Sequence, residues 1–308
     1  MKTFGYLLMA VMACMTCSCR DEEPLPDPVP PVMEPENPGN PEEPDTGKVY
    51  IGIAPIIENM QEQRAVVENW KEGHCLGVTA AGDVNIPFTF DGRRWKAGKQ
   101  VEVTAEQKVS AYYPYNVQYT DMTAIPVDIT TQEDYMYGEG GVSVEKPSAV
   151  LVMKHALSLV RILIKKNDYT GDGRVDAVTF GGVRLSASMD VTSGKLLPTG
   201  QPGEYKAGGN YTLDDASPVY VEAILMPVGT AEGITVNVHV DGRDFTYALP
   251  PTHVWNPGMI YTYTLNMKSG YNCEVDVDHV PMDEEYWSTF GKTDRIVMRD
   301  CGTDRIYI

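Results

Sequence analysis

From residue 48 onward, the chain consists of short segments in which apolar and polar residues alternate, separated by turns rich in glycine, proline and aspartate. The clearest example is residues 234–240, where every second residue is isoleucine or valine. Asp241-Gly242 follows, and then a second such segment, residues 243–249. A period of two indicates β-strands, and Asp-Gly suits the positive φ angles of a tight turn. The pattern predicts a β-hairpin and places His239 on the solvent-facing side, opposite the valines.

The same reasoning predicts strands at residues 49–55, 100–104, 108–113, 150–153, 160–165, 177–184, 219–226 and 260–267. We therefore expect an all-β protein. Residues 150–166 also fit one face of a helix, and a short helical turn at His155-Ala156-Leu157 between two strands reconciles both patterns. The dipeptide Pro147-Ser148 just before them is the best candidate for a domain boundary.

The N-terminus has the composition of an export signal. Lys2 precedes an apolar run over residues 4–15, which is too short to span a membrane. Thr16-Cys17-Ser18-Cys19 then places a small residue directly before a cysteine, an arrangement that resembles a bacterial lipobox. We predict a lipoprotein signal peptide over residues 1–18 and a lipid on Cys19. Cys14 is the alternative lipidation site, and a soluble exported protein is the other interpretation.

Acidic residues are concentrated just after this signal. The chain has a formal charge of −18, and residues 21–45 contain nine acidic residues, no basic residue and nine prolines. Such a segment cannot bury a core, so residues 19–47 are predicted to form an extended linker. The acidic balance argues against nucleic acid as a partner, because phosphate contacts need a basic face. The tract after Cys19 also resembles the signal that sends lipoproteins of Bacteroidales-type bacteria to the outer face of the outer membrane.

Five motifs follow one another along the folded part. They are Trp70-x-x-Gly73 with Leu76-Gly77-Val78, Val109-Ser-Ala-Tyr-Tyr-Pro-Tyr115, Met153-Lys-His-Ala-Leu-Ser-Leu-Val-Arg161, Ile224-Leu-Met-Pro227, and Trp255-Asn-Pro-Gly258 with Tyr261-Thr-Tyr-Thr-Leu265. In this order they resemble fimbrillin-like proteins, the lipoprotein subunits of the type V pili of Bacteroidales. His74-Cys75 departs from the family, which commonly has an acidic residue after the glycine, and we recognise no counterpart for the extension after Lys268.

The resemblance implies two transthyretin-like β-sandwich domains in tandem. On this basis we predict an N-terminal sandwich at residues 48–148, a C-terminal sandwich at 149–270 and an extension at 271–308. In fimbrillin-like pilins, arginine-specific proteolysis can remove the first strand and open a groove for a neighbour's donor strand. The matching elements here are residues 49–57 as the removable strand and Arg64-Ala65 as the cleaved bond.

Signatures of catalysis are hard to find in the sequence. It contains no GxSxG, HExxH, P-loop or GxGxxG motif, and its five histidines are scattered singly, so we expect no enzymatic activity, metal or cofactor. Residues 168–179 begin like a calcium loop, with oxygen-bearing side chains at the usual spacing and Gly173 at the turn. Thr179, however, occupies the place of the expected bidentate glutamate. A polar hairpin loop is the better interpretation.

Aromatic residues cluster in one part of the sequence: Trp95, Tyr112, Tyr113, Tyr115 and Tyr119. Aromatic faces offer apolar area with a polar edge, which suits the binding of sugar rings. Because Tyr113 and Ala111 share one face of a predicted strand, at least part of the cluster is expected to be core, and core packing is the favoured interpretation.

Three cysteines follow the predicted lipidation site Cys19: Cys75, Cys273 and Cys301. In an oxidising compartment, a Cys273–Cys301 bridge that staples the C-terminal extension is plausible and leaves Cys75 as the odd thiol. A bridge from Cys75 to either of the other two is an open alternative.

Two β-prone runs close the chain, at residues 294–299 and 305–308. A free apolar strand is an aggregation hazard, so this tail must either pair within its own domain or enter the groove of a neighbouring subunit. Of the two placements, we favour donation to a neighbour.

These features predict a cell-surface pilus subunit that assembles with other pilus subunits by donor-strand exchange. Its lipid attaches it to the outer membrane, and its ligand is a host or bacterial surface molecule. Two alternatives stay open: a non-polymerising anchor or tip subunit of the same family, and a monomeric surface lipoprotein that binds glycans through the aromatic cluster.

Overall fold

The computed structural model describes residues 48–58 and 69–268, together with the backbones of two later strands, Asn272–Pro281 and Asp294–Arg299. Apart from one 3-10 turn, η1 (Ile129–Thr131), all regular structure in these residues is β. The predicted all-β class is therefore confirmed. The described part of the chain holds no helix that is long and apolar enough to cross a membrane.

The strands are numbered in chain order. The first ten are β1 (Gly52–Ile57), β2 (Cys75–Ala80), β3 (Asp83–Phe90), β4 (Trp95–Ala97), β5 (Gln107–Tyr113), β6 (Ile125–Asp128), β7 (Met136–Val142), β8 (Ser148–His155), β9 (Ser158–Lys165) and β10 (Arg174–Val183). The others are β11 (Ser186–Met189), β12 (Leu196–Thr199), β13 (Gly203–Gly208), β14 (Tyr211–Thr212), β15 (Val219–Leu225), β16 (Thr235–Val240), β17 (Arg243–Ala248), β18 (Met259–Lys268), β19 (Asn272–Pro281) and β20 (Asp294–Arg299).

Seven strands form the first sheet, in the order β1-β8-β7-β5-β2-β3-β4. β1 and β8 run parallel, whereas the other pairs are antiparallel. The sheet surrounds a set of buried residues that we call the first core. Its members are Ile51, Ile53, Leu76, Val78, Ala80, Ile86, Phe88, Val101, Val103, Val109, Ala111, Met136, Val142, Ala149, Leu151 and Met153.

The strand β8 lies close to β7, its neighbour in the sheet. The two strands pair at only two positions, Met136 with His155 and Tyr137 with Lys154. Beyond these pairs, Gly138 and Gly140 of β7 lie against the backbone of β8: a Cβ atom added at Gly138 would stand 2.5 Å from the carbonyl oxygen of Val152. Because Gly138 and Gly140 have no side chain, β8, and with it β1, can lie close to β7 and pack on the first core.

The second half of the chain contains a five-stranded sheet, β15-β9-β18-β19-β20, and a sheet in the order β13-β10-β16-β17. Alternate residues of β9, β10, β15, β16, β17 and β18 are buried together in what we call the second core. The small sheet β12-β11-β6 adds Ile125, Val127 and Ala187 to this core. The arrangement of sheets over a common core is sandwich-like.

The predicted hairpin is confirmed as β16 and β17. Val236, Val238 and Val240 are buried, and the turn residues Asp241 and Gly242 have φ angles of 49° and 77°. His239 lies on the opposite face, as predicted, with its side chain 33% exposed. Its Nδ1 atom lies 2.8 Å from a carboxylate oxygen of Asp244, a partner that the sequence analysis did not identify.

Two local predictions are wrong. Residues 100–104 form no strand and contribute only a bridge between Glu102 and Tyr50. The backbone groups of Val101 and Val103 form hydrogen bonds with the short segment that precedes β1. His155-Ala156-Leu157 is not a helical turn: β8 extends through His155, and β9 begins at Ser158 in a different sheet. Buried and exposed residues alternate along β8, whereas Ser158, Leu159 and Val160 at the start of β9 are all buried, and the two patterns together resemble one face of a helix.

The two cores divide the chain near Ala156. β8 pairs with β1 and supplies Leu151 and Met153 to the first core, although Pro147-Ser148 precedes it. The segment from β6 to Tyr135, which precedes β8 in sequence, packs in the second core. The division into two domains stays a prediction, and in the packing β8 goes with the first half.

The C-terminal extension pairs with strands of its own chain. β19 pairs with β18, and β20 pairs with β19, so Asp294–Arg299 is the last strand of the five-stranded sheet. The sequence analysis favoured donation of this strand to a neighbouring subunit, whereas in the isolated chain the strand pairs with β19. Residues 305–308 lie outside the described residues.

Candidate functional site

The strand β1 lies at the edge of the first sheet and is the element that the sequence analysis identified as removable. The N–H groups of Gly52 and Glu58 donate to the carbonyl oxygens of Pro147 and Met153, at 3.0 and 2.9 Å. Even-numbered residues of β1 therefore direct their backbone groups toward β8, and odd-numbered residues direct theirs away from it. The side chains alternate too: Ile53 is buried, whereas Ile56 is 56% exposed.

Proline suits this edge position. Pro55 lacks an N–H and its backbone points away from β8, where an additional strand would need a donor. Its carbonyl oxygen accepts a hydrogen bond of 2.9 Å from the indole Nε1 of Trp70. Before β1, the N–H of Ile51 donates to the carbonyl of Val101, and the N–H of Val103 donates to the carbonyl of Val49. The outer edge of β1 is thus partly closed by the chain's own groups.

A cluster of half-buried aromatic rings surrounds Trp70. Its ring meets Trp95 edge to face with centroids 5.1 Å apart, and it meets Tyr113 at 5.8 Å and His74 at 6.0 Å. Burial, with a smaller effect of Lys71, holds the pKa of His74 below its ordinary value. Burial, with a smaller effect of two nearby carboxylates, raises the pKa of Tyr113. The rings therefore form a neutral, partly desolvated patch beside β1.

The aromatic cluster predicted from sequence is divided by the sheet. Tyr113 and Trp95 join Trp70 at the first core, whereas Tyr112 is fully buried in the second core with Tyr119 packed on it at 5.9 Å. Burial raises the pKa of Tyr112 to about 12, and its hydroxyl donates to Asn85 over 2.8 Å. Adjacent strand residues point to opposite faces, so a single platform that includes Tyr112 and Tyr113 is wrong.

The calcium-like loop is held by an anionic side chain. The carboxylate of Asp241 accepts hydrogen bonds from the N–H groups of Gly173 and Arg174 and from the hydroxyl of Tyr169, each at 2.8 Å. Gly173 has a φ of 76°, which favours glycine at this turn. The loop joins β9 to β10 in different sheets, so it is not the predicted hairpin. The backbone N–H groups of this loop therefore bind a carboxylate of the same chain, Asp241.

We expect Asp241→Asn to lower the stability of the fold by about 2 kcal/mol at pH 7, since hydrogen bonds to a charged group are lost. Asparagine also adopts the left-handed backbone conformation of residue 241, so the substitution adds no backbone strain. Partial burial opposes ionisation of Asp241, but the hydrogen bonds from Gly173, Arg174 and Tyr169 outweigh it and hold its pKa below the ordinary value. The stabilisation is therefore present above about pH 4 and is lost as the pH falls through the lowered pKa. Urea denaturation from pH 7 to pH 2 measures the difference.

The exposed Asp172 in the same loop provides the control. Asp172→Asn is expected to change stability by no more than about 0.5 kcal/mol at any of these pH values. An equal loss in both variants would contradict the role assigned to Asp241.

A second buried ionisable group lies where the two cores meet. His155 and Asp134 have side chains only 3% exposed, and Nδ1 of the ring lies 2.9 Å from a carboxylate oxygen. The pair links the end of β8, which packs in the first core, to the residue before Tyr135, which packs in the second core. Its structural role was not identified from the sequence.

The other predicted site residues are placed only in part. Cys19, Arg64, Ala65 and Cys301 lie outside the described residues, as do the signal and the linker, and their roles stay predictions. Cys273 lies in β19, opposite Met298 of β20. Cys75 is a half-buried free thiol. The side chains described for residues 48–58 and 69–268 include no group of three metal-ligating residues.

Trp70 and Asp241 are the residues whose roles the sequence analysis missed. Trp70 was noted only as part of a motif, and Asp241 only as a turn residue. The sequence contains a signal for Asp241, because a turn aspartate is a common acceptor for nearby backbone N–H groups. No local signal links Trp70 to Pro55, since the contact spans fifteen residues and is made by folding.

Comparisons with solved structures agree with this fold. One similar structure is a candidate cell adhesion protein from Bacteroides uniformis, with a TM-score of 0.62, 19% identity, and coverage of 77% of this chain and 99% of that one. Another, a candidate cell adhesion protein from Bacteroides ovatus, has a TM-score of 0.58, 18% identity, and coverage of 76% and 96%. At these identities, the likeness shows the fold.

The family is shown by sequence. The profile of the family described as fimbrillin-like matches residues 64–278, which is more than half of the chain. The search of curated proteins found no match to this chain. The matched region begins at Arg64, includes all five motifs noted in the sequence and continues into β19. This chain belongs to the fimbrillin-like family.

Proposed function

We propose that this protein is a cell-surface pilus subunit that assembles with other subunits by strand exchange at the edge now occupied by β1. Family membership supports a pilus-related role in adhesion. We further propose that a lipid on Cys19 attaches the newly exported chain to the outer membrane, with residues 19–47 as spacer. The observation that carries the proposal is the position of β1.

β1 is an edge strand whose side chains complete a core. Ile53 of β1 and Ile51 just before it are 6% and 7% exposed and pack in the first core. Removal of this strand would leave the backbone groups of β8 unpaired and part of the core open. A β-strand with alternating apolar residues from a neighbour would satisfy both needs, which is the β-augmentation mode of assembly.

The last described strand, β20, is the proposed donor. β20 lies at the far edge of the five-stranded sheet and pairs only with β19 among the described strands. An edge strand that pairs on one side can leave its sheet by breaking a single row of ladder hydrogen bonds. In a fibre, the same strand, or the residues after it, would pair with β8 of the next subunit in place of β1.

The test is assembly after arginine-specific proteolysis of the purified chain. We expect cleavage after Arg64, and then fibres visible by electron microscopy and early elution in size-exclusion chromatography. Arg64→Lys keeps the charge but resists the protease, so this variant is expected to stay monomeric. A chain that lacks residues 294–308 is expected to be cleaved without forming fibres.

Each contrary result has a definite meaning. A cleaved chain that stays monomeric would contradict polymerisation and favour an anchor or tip subunit. Fibres formed equally well by Arg64→Lys would show that β1 need not be released. If the chain that lacks residues 294–308 fails to fold, the tail is a structural strand of its own domain and the donor assignment is wrong.

A further inference from the structure

Trp70 contacts β1 at the edge that points away from β8. Pro55 has no N–H, so its carbonyl oxygen is the only hydrogen-bonding backbone group at that residue. This carbonyl accepts the Trp70 indole N–H at 2.9 Å. The bond is made by a side chain at a position where a further strand would bond in an extended sheet.

The indole is held in place by its neighbours. Trp95 and Tyr113 meet its ring edge to face, at 5.1 and 5.8 Å, and Trp70 packs against the first core. A side chain fixed in this way loses little additional freedom when it donates the hydrogen bond. Trp70 is therefore a pre-positioned donor for β1 and not a loosely placed surface residue.

The order of residues along the chain makes this contact consequential. β1 precedes the predicted cleavage site Arg64-Ala65, and Trp70 follows it. After cleavage there, β1 belongs to the N-terminal fragment and Trp70 to the body of the subunit. Their hydrogen bond is not cut, so it must break before β1 can leave.

We propose that Trp70 is a latch that retains β1 in its sheet and sets the rate at which the strand is released. The proposal rests on the proposed function, in which β1 is the element that a neighbour replaces. Cleavage and opening are then two separate steps. A cleaved subunit keeps its core covered until β1 dissociates, which limits the exposure of an aggregation-prone edge.

The experiment compares Trp70→Phe with Trp95→Phe in the uncleaved chain. Trp70→Phe keeps an aromatic ring but removes the N–H donor, whereas Trp95→Phe changes the cluster and leaves the donor in place. Hydrogen exchange of the β1 amides, followed by mass spectrometry, reports how often β1 opens. We expect exchange to be about fivefold faster in Trp70→Phe, the factor for loss of one ordinary hydrogen bond. We expect a smaller acceleration in Trp95→Phe, because the donor stays in place, and no change in the β16 amides of either variant.

Three outcomes would overturn the latch. These are unchanged β1 exchange in Trp70→Phe, equal acceleration in both variants, and equal acceleration in β1 and β16. The first shows that the bond does not retain the strand, the second assigns the effect to ring packing, and the third to a general loss of stability.

A second measurement uses protein cleaved after Arg64. Release of the N-terminal fragment, followed by size-exclusion chromatography, is expected to be about fivefold faster for Trp70→Phe than for the parent chain. Equal release rates would contradict the latch. If the parent chain resists cleavage or forms no fibres, the proposed function fails, and the exchange experiment still decides what Trp70 does to β1.

Discussion

Replacement of Trp255 by alanine is expected to lower the free energy of unfolding by about 4 kcal/mol, the largest effect that we predict for a single residue. The Trp255 side chain is 1% exposed in the second core, and its indole N–H donates to the hydroxyl of Tyr263 over 2.9 Å. Truncation leaves both a cavity and a buried hydroxyl without its donor. Guanidinium denaturation followed by far-UV circular dichroism measures the loss.

The loop around Trp255 explains why such a loss would spread. The backbone of Trp255 exchanges two hydrogen bonds of 2.9 Å with Val228. Three residues further on, the N–H of Gly258 donates to the carbonyl of Leu157, in the short connection between the two cores. The tryptophan therefore fixes a loop that joins the start of β18 to this connection.

Tyr220 provides a matched control, because it is also a large aromatic residue of the same half of the chain but is 57% exposed. Tyr220→Ala is expected to change the free energy of unfolding by no more than about 0.5 kcal/mol. A loss below about 1 kcal/mol for Trp255→Ala would contradict the central place given to this residue.

Substitution of alanine for Gly138 is expected to cost about 3 kcal/mol, at the upper end of ordinary overpacking. A Cβ atom at this position would stand 2.5 Å from the carbonyl oxygen of Val152 and 2.9 Å from the sulfur of Met153. The carbonyl belongs to the backbone of β8, so relief requires that the strand itself move. Because β1 pairs with β8, the substitution is expected to loosen both strands, which thermal unfolding and the exchange of β1 amides would detect.

Gly141 in the same strand is the control. The nearest atom to a Cβ there is the carbonyl oxygen of Gln107 at 3.8 Å, and the residue is exposed. Neither glycine has a positive φ, so alanine is allowed by the backbone at both positions. Gly141→Ala is expected to be neutral or slightly stabilising, because it restricts the unfolded chain. Equal losses at the two positions would show that close approach of β8 is not what requires Gly138.

The sequence by itself determined the elements whose information is local. Residues 234–249 form the predicted hairpin because a period of two and an Asp-Gly turn specify strands and their reversal without reference to the rest of the chain. The all-β class and the family followed in the same way, from repeated strand patterns and from motifs in order. At Gln100–Thr104 the pattern failed, because buried Val101 and Val103 satisfy the same alternation in a segment that forms only one bridge.

Only the tertiary structure decided the candidate site. Alternation indicates that Tyr112 and Tyr113 face opposite ways. It does not indicate that Tyr112 packs in the second core while Tyr113 packs against the first. The position of β1 at a sheet edge depends on the register of β1 with β8, nearly a hundred residues away in sequence. The contact between Trp70 and Pro55 likewise follows from packing. Long-range pairing depends on which surfaces bury one another, and a single strand pattern is compatible with many such arrangements.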